Sequence, residues 1–287
     1  MPNYYAHLYF GERVLADLPN ALGKLIQGEW ESFALGCFGP DPLFFYQPLK
    51  KSEIWRSAGI IHRSSALPLV KSLRTAVEED IPMSRGFAAG YICHLALDHV
   101  CHAYVEARAA RPGEPSHYAM EGEFDRYLMV QDGYPMVYRK SLMPVLQNEA
   151  VWTAGSAMYD HVQPEQLKEA YDYMSWCVAK LASFYCRFRG RIIDAFSHVS
   201  PAVHGVHGMA LKKKVGAGCD ESNEVMLQLL LDAVSVTARE IAGFFGSIAR
   251  EEPLSLWFDR DFKGNVFTQP EESVGILADA ITGADSF

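Results

Sequence analysis

GFAAGYICHLALDHVCHAYVEARAARPGEPSHYAMEGEFD, residues 86–125, is the stretch around which the rest of this chain is organised. His94 and Asp98 stand four residues apart, and His102 follows after four more. On an α-helix each step of four advances the side chain by roughly 40°, so the three form one stripe. After a loop containing Pro112, Gly113 and Pro115 comes a second pair at the same spacing, His117 and Glu121. The first helix, read over residues 83–110, is apolar nearly all round and therefore buried, so its polar side chains need partners. An unpaired carboxylate at Asp98 would be costly in such a place, whereas a metal ion neutralises it. Imidazole and carboxylate groups at helical spacing on two neighbouring helices are what a zinc site requires.

Working outward, no β-type alternation, internal repeat or low-complexity segment interrupts the helical pattern. Residues 4–27 carry apolar side chains at helical intervals, broken near Pro19, and a short apolar segment from Trp30 follows. Gly36, Gly39, Pro40 and Pro42 make residues 36–42 a tight loop that holds Asp41 between two prolines. Residues 52–80 read as a helix through His62, interrupted at Pro68. Helices are expected over 115–132, 163–197 and 221–250. The expectation is one all-α domain over residues 1–287. Residues 1–125 bear the ligands, 126–250 complete the helical bundle, and a tail from 251 to 287 wraps the surface.

Composition narrows the function classes. The chain has 287 residues, 49% of them hydrophobic, enough to bury a sizeable core. Its formal net charge of −9 argues against binding a polyphosphate backbone through a basic surface. Six cysteines without CxxC spacing read as reduced thiols in a cytoplasmic protein. No signal peptide is visible at the N-terminus, and every apolar run ends well short of the roughly 18 residues a membrane span needs.

Other histidines have plainer readings. His99 sits about 140° from His94 on the same helix, away from the stripe, where it packs or supports a ligand. His161, His198, His204 and His207 have no carboxylate at ligand spacing. DRDFKGN at 259–265 begins like a calcium loop, but Pro270 stands where the bidentate Glu would fall, so a capped turn is expected.

With these residues assembled, the sequence resembles the bacterial zinc-dependent phospholipase C family, whose fold is shared with the S1/P1 nucleases. The resemblance is carried by residues 1–125, through His7, Asp41, His62, His94, Asp98, His102, His117 and Glu121 in chain order. It implies an all-α, multi-helix domain holding two to three zinc ions. One zinc falls on Asp41, His62, His94 and Asp98, and another on His102, His117 and Glu121. A third falls on His7, Asp98 and the chain's N-terminal groups, with Asp98 bridging two metals. Three departures stand out. The chain starts Met1-Pro2 where secreted members expose an N-terminal Trp, so a Pro2 amine left by Met1 removal would take that role. The four-residue gap from Asp98 to His102 is shorter than the family's, and the signal peptide of the secreted members is missing.

The implied activity is phosphoric ester hydrolysis, phospholipase C-like, on a lipid head-group or small-molecule phosphodiester. Asp41 then serves as both ligand and proton acceptor. Tyr4, Phe44, Phe45, Tyr46 and Trp55 read either as a wall for a choline head group or a base, or as core packing. Two alternatives stay open: a nuclease or nucleotidase on the same scaffold, and a non-catalytic metal-binding protein.

Overall fold

The computed structural model describes residues 4–134, 142–184, 216 and 218–267. Ten α-helices lie within them: α1 (Tyr4–Asp17), α2 (Asn20–Gly28), α3 (Trp30–Cys37), α4 (Glu53–Ile61), α5 (Leu67–Glu78), α6 (Ser84–Ala109), α7 (His117–Gln131), α8 (Ala150–Ser156), α9 (Pro164–Phe184) and α10 (Asp220–Ala249). The fold is all-α, and the described residues contain no strand, only an isolated bridge between Arg260 and Val266. No helix among them is long and apolar enough to cross a membrane.

Helix α6 runs through the middle. Between Ser84 and Asp98 every residue except Arg85 is buried, because α1, α3, α5, α8 and α10 all pack against this helix. Beyond Asp98 the buried positions thin to Cys101, His102, Val105 and Arg108, the stripe of a helix with one solvated side. The contact with α3 is unusually close. A Cβ on Gly90 would lie 2.1 Å from the Phe33 carbonyl oxygen, and one on Gly36 2.3 Å from that of Phe87. The two backbones therefore touch where only glycine leaves room.

The helix ends follow local chemistry. The first helical pair breaks at Leu18–Pro19. The Ser52 hydroxyl caps α4 by accepting from the Trp55 amide, and Ser116 caps α7 by accepting from that of Ala119. The helix expected over 52–80 is two helices, separated at His62–Ala66. Pro68 sits in the first turn of α5, where its missing N–H is not needed. Residues 185–197 of the expected long helix lie outside the described residues.

Residues 251–267 of the tail turn inward, and residues 268–287 lie outside the described residues. Phe258 and Phe262 are fully buried, and Asp259 and Asp261 are buried with them. The segment is tied in by the Ala66 amide, which donates to the Arg260 carbonyl (2.8 Å), and by the Ser65 hydroxyl, which donates to Asp259 (2.7 Å). Burying each phenyl ring is worth roughly 1.5–3 kcal/mol, enough to draw this stretch inward.

Candidate metal centre

Five elements converge on one interior region. His7 comes from α1, Asp41 from the 3-10 turn Asp41–Phe45 after α3, and His62 from the C-terminal end of α4. His94, Asp98 and His102 come from α6, and His117 and Glu121 from α7. Seven of the eight side chains are buried, and His117 is half-buried. Gly39 makes the approach possible. It adopts φ +50°, and a Cβ there would lie 2.4 Å from the His94 ring.

Ligand atoms gather in three groups, each within 4.8 Å: His7, Asp41 and His94; His62, His94 and Asp98; and His102, His117 and Glu121. The third is the set that the family resemblance implies for one zinc. His102 belongs to it in spite of its short gap, with Nε2 3.4 Å from Glu121 Oε1. The four-ligand set is also brought together: His62 Nε2 lies 3.0 Å from Asp41 Oδ1, and His94 Nε2 lies 3.4 Å from Asp98 Oδ2 and 3.9 Å from Asp41 Oδ1. His7 Nε2 is 3.3 Å from Asp98 Oδ1, and its ring stacks on His94 at 4.1 Å, so it also joins Asp41 and His94. The two oxygens of Asp98 thus face different histidines. Met1 and Pro2, and with them the expected terminal ligand, lie outside the described residues.

The ring nitrogens test whether a cation fits. His62 Nδ1 lies 2.6 Å from the Ala58 carbonyl oxygen, His94 Nδ1 3.0 Å from that of Cys37, and His102 Nδ1 2.6 Å from that of Phe262. A carbonyl can only accept, so each Nδ1 donates and leaves Nε2 facing a carboxylate. A positive charge at that junction, carried by a metal ion or by a proton on Nε2, satisfies both sides. The buried His94 Nε2, both His7 ring nitrogens and both Asp98 oxygens have no hydrogen-bond partner. Their separations of 3.3–3.4 Å match the edge of a tetrahedron with metal–ligand bonds of about 2.0–2.1 Å. The donor set is the nitrogen-and-oxygen set zinc takes, so the residues fit the ion.

Electrostatics agree. Burial alone would raise the Asp98 carboxyl, yet His102, His94 and His7 together hold it well below the usual carboxylate range. Burial opposes charge on His94 and His102 as well, but Asp98, with Asp41 or Glu121, raises both. His7 goes down, because burial and the neighbouring His94 outweigh Asp98. The carboxylates thus favour positive charge at His94 and His102.

Of the expected aromatic wall, Phe44 stands beside the cluster, its ring 5.3 Å from that of His62 and 6.2 Å from that of Trp55. Phe45 and Tyr46 are half-buried against the core, and Tyr4 is buried, its hydroxyl accepting from the Leu142 amide. His99 turns away from the stripe and donates from Nδ1 to the Asp261 carbonyl. The 259–265 segment is a capped turn: Asp261 Oδ1 accepts from the amides of Lys263 and Asn265. His161 is only half-buried and belongs to none of the three groups. His198, His204 and His207 lie outside the described residues.

Three supporting residues were missed. Asp125, fully buried, accepts from the Ala6 amide at 2.8 Å and the Tyr5 amide at 3.1 Å, capping the helix that carries His7. The signal was present, since Asp125 continues the i, i+4 series of His117 and Glu121. Phe262 packs its ring against His62 (5.1 Å) and His94 (5.5 Å) while its carbonyl orients His102. Tyr159, whose buried hydroxyl has no hydrogen-bond partner, is pushed up by burial and then by the charge of Asp41. Nothing in the local sequence marks either of these two.

Against known protein families, the model described as zinc dependent phospholipase C matches residues 6–181. That span takes in all eight ligand candidates and stops short of the inward-turning tail. Neither a curated protein nor a solved structure matches the chain.

Proposed function

Because this chain belongs to the zinc-dependent phospholipase C family, we propose that it is a phosphoric ester hydrolase acting on phospholipid head-group diesters. The observation that carries the reading is the gathering of histidine and carboxylate atoms into three groups, each within 4.8 Å, where His94 Nε2, both His7 ring nitrogens and both Asp98 oxygens have no hydrogen-bond partner. Two to three zinc ions would satisfy them. Asp41, His62, His94 and Asp98 would hold one, and His102, His117 and Glu121 another. His7 with Asp98 would take part in holding a third. Zinc bound there supplies Lewis acidity toward phosphate oxygens and brings the pKa of a water near 7.

The chain's own groups do the rest. Asp41, 3% exposed and held between two prolines, accepts the proton released as water attacks phosphorus in line with the leaving alkoxide. Phe44, between His62 and Trp55, presents a ring face to the head group, a setting suited to a quaternary ammonium. The five described cysteines are free, which supports placing the protein in a reducing, cytoplasmic setting.

The test is a substrate panel on zinc-loaded protein. Release of phosphorylated head group from short-chain phosphatidylcholine is the expected result. Nucleotide release from single-stranded DNA without lipid turnover would move the activity to a nuclease. Turnover of neither would reduce the centre to a metal-binding site.

A further inference from the structure

The chain between two of the ligand candidates, Asp41 and His62, carries a projecting loop. It leaves Tyr46, forms the 3-10 turn Pro48–Lys50, and returns at Ser52 to start α4. The Ser52 hydroxyl donates to the Tyr46 carbonyl (3.1 Å), closing the base, and the Lys50 amide donates to the Gln47 carbonyl (3.0 Å). Gln47 and Lys51 are both left-handed, at φ +45° and +47°. This is a shape side chains rarely adopt, and here it lifts Leu49 to the tip. Leu49 is 98% exposed, the most exposed large apolar side chain among the described residues.

The surroundings of that leucine are basic in an acidic protein. From Gln47 to Arg63 the cations are Lys50, Lys51, Arg56 and Arg63, all exposed, and the single carboxylate is Glu53, while the whole chain carries −9. Leu256, 75% exposed, instead lies beyond Glu251 and Glu252 and before Asp259. An apolar tip followed directly by two exposed lysines matches the interface of an anionic membrane, where the leucine enters the acyl boundary and the cations meet lipid phosphates.

We propose that the loop Gln47–Ser52 docks the protein on an anionic lipid surface, Leu49 entering the interface and Lys50 and Lys51 binding lipid phosphate. The loop is continuous with Asp41 on one side and His62 on the other, so docking brings the metal centre to the bilayer. The inference deepens the phospholipid reading and rests on it for its purpose.

Co-sedimentation of the full zinc-loaded chain with phosphatidylcholine vesicles, with and without phosphatidylserine, tests it. A shared assay with monomeric short-chain phosphatidylcholine reports catalysis separately. The wild type binds the serine-containing vesicles and releases at high salt. Each lysine near such a surface is worth about fivefold in binding, so Lys50→Glu with Lys51→Glu abolishes it. Leu49→Gln weakens binding about tenfold. All variants keep the wild-type rate on the monomeric substrate.

Equal vesicle binding by wild type and variants would overturn the proposal. So would failure of the wild type to bind while it hydrolyses the monomeric lipid, an outcome that spares the hydrolase reading. Binding without hydrolysis would instead sink that reading and leave the docking surface. Self-association of the wild type that Leu49→Gln removes, with no vesicle binding, would make the tip a contact between copies and overturn the proposal.

Discussion

Asp98 is fully buried in the centre, with Oδ1 toward His7 and Oδ2 toward His94. A carboxylate that serves two sites fails differently from one that serves a single site. In the proposed centre Asp98→Asn would remove a charge shared by two metals, whereas His102→Ala and Glu121→Gln would disturb one group. Asp98→Asn is expected to lose more metal than either and to keep no measurable hydrolysis, read by elemental analysis beside the diesterase rate. Full occupancy in Asp98→Asn with every ion stripped from His102→Ala would put the bridge on another residue. Asp125 gives a pH prediction. Burial pushes its carboxyl up to about 8, against the two amides that favour its charged form. A carboxyl raised above its unfolded value of about 3.9 stabilises the fold fully at low pH, and that share is lost as pH rises toward 8. Urea denaturation at a series of pH values should therefore show wild type losing stability relative to Asp125→Asn between about pH 4 and 8. The difference cancels the histidines common to both proteins, and a pH-independent difference would contradict the assignment.

Periodicity is legible one helix at a time, and contacts between distant segments are not. The central helix, read over 83–110, runs Ser84–Ala109, and the last long helix, read over 221–250, runs Asp220–Ala249. Both reflect apolar spacing and end signals close by in sequence. The i, i+4 series from His94 to Glu121 was readable for the same reason, because helical geometry alone puts those side chains on shared faces. Phe262 was not, since its carbonyl meets His102 across 160 residues and no local pattern records it. The glycines of α6 were read only as part of a buried helix. Their backbone contact with α3 gives a second prediction at this scale. Gly90→Ala drives a methyl to 2.1 Å from the Phe33 carbonyl and should cost roughly 1–3 kcal/mol in denaturant unfolding. Gly243→Ala, in the exposed middle of α10 with nothing within 4 Å, should instead gain about 0.5–1 kcal/mol. Equal effects at the two positions would mean that α3 and α6 do not touch as described.

Across the whole molecule, the metal centre joins parts of the chain that are far apart in sequence. Helices α1, α4, α6 and α7 each contribute ligand candidates, and the tail supplies the carbonyl behind His102. Removing the ions leaves buried carboxylates facing one another's histidines, a cost that falls on the fold itself. Chelation should lower the melting temperature by many degrees, and zinc should restore it. An unchanged melting curve on complete removal would mean that the cluster holds itself together by hydrogen bonds. Acid should mimic chelation, because protons compete with a metal for the histidine nitrogens. The most direct measurement of the central claim is the metal content of the full chain after equilibration with zinc and removal of free ions. The account predicts two to three zinc ions per chain, and a value near zero would contradict it.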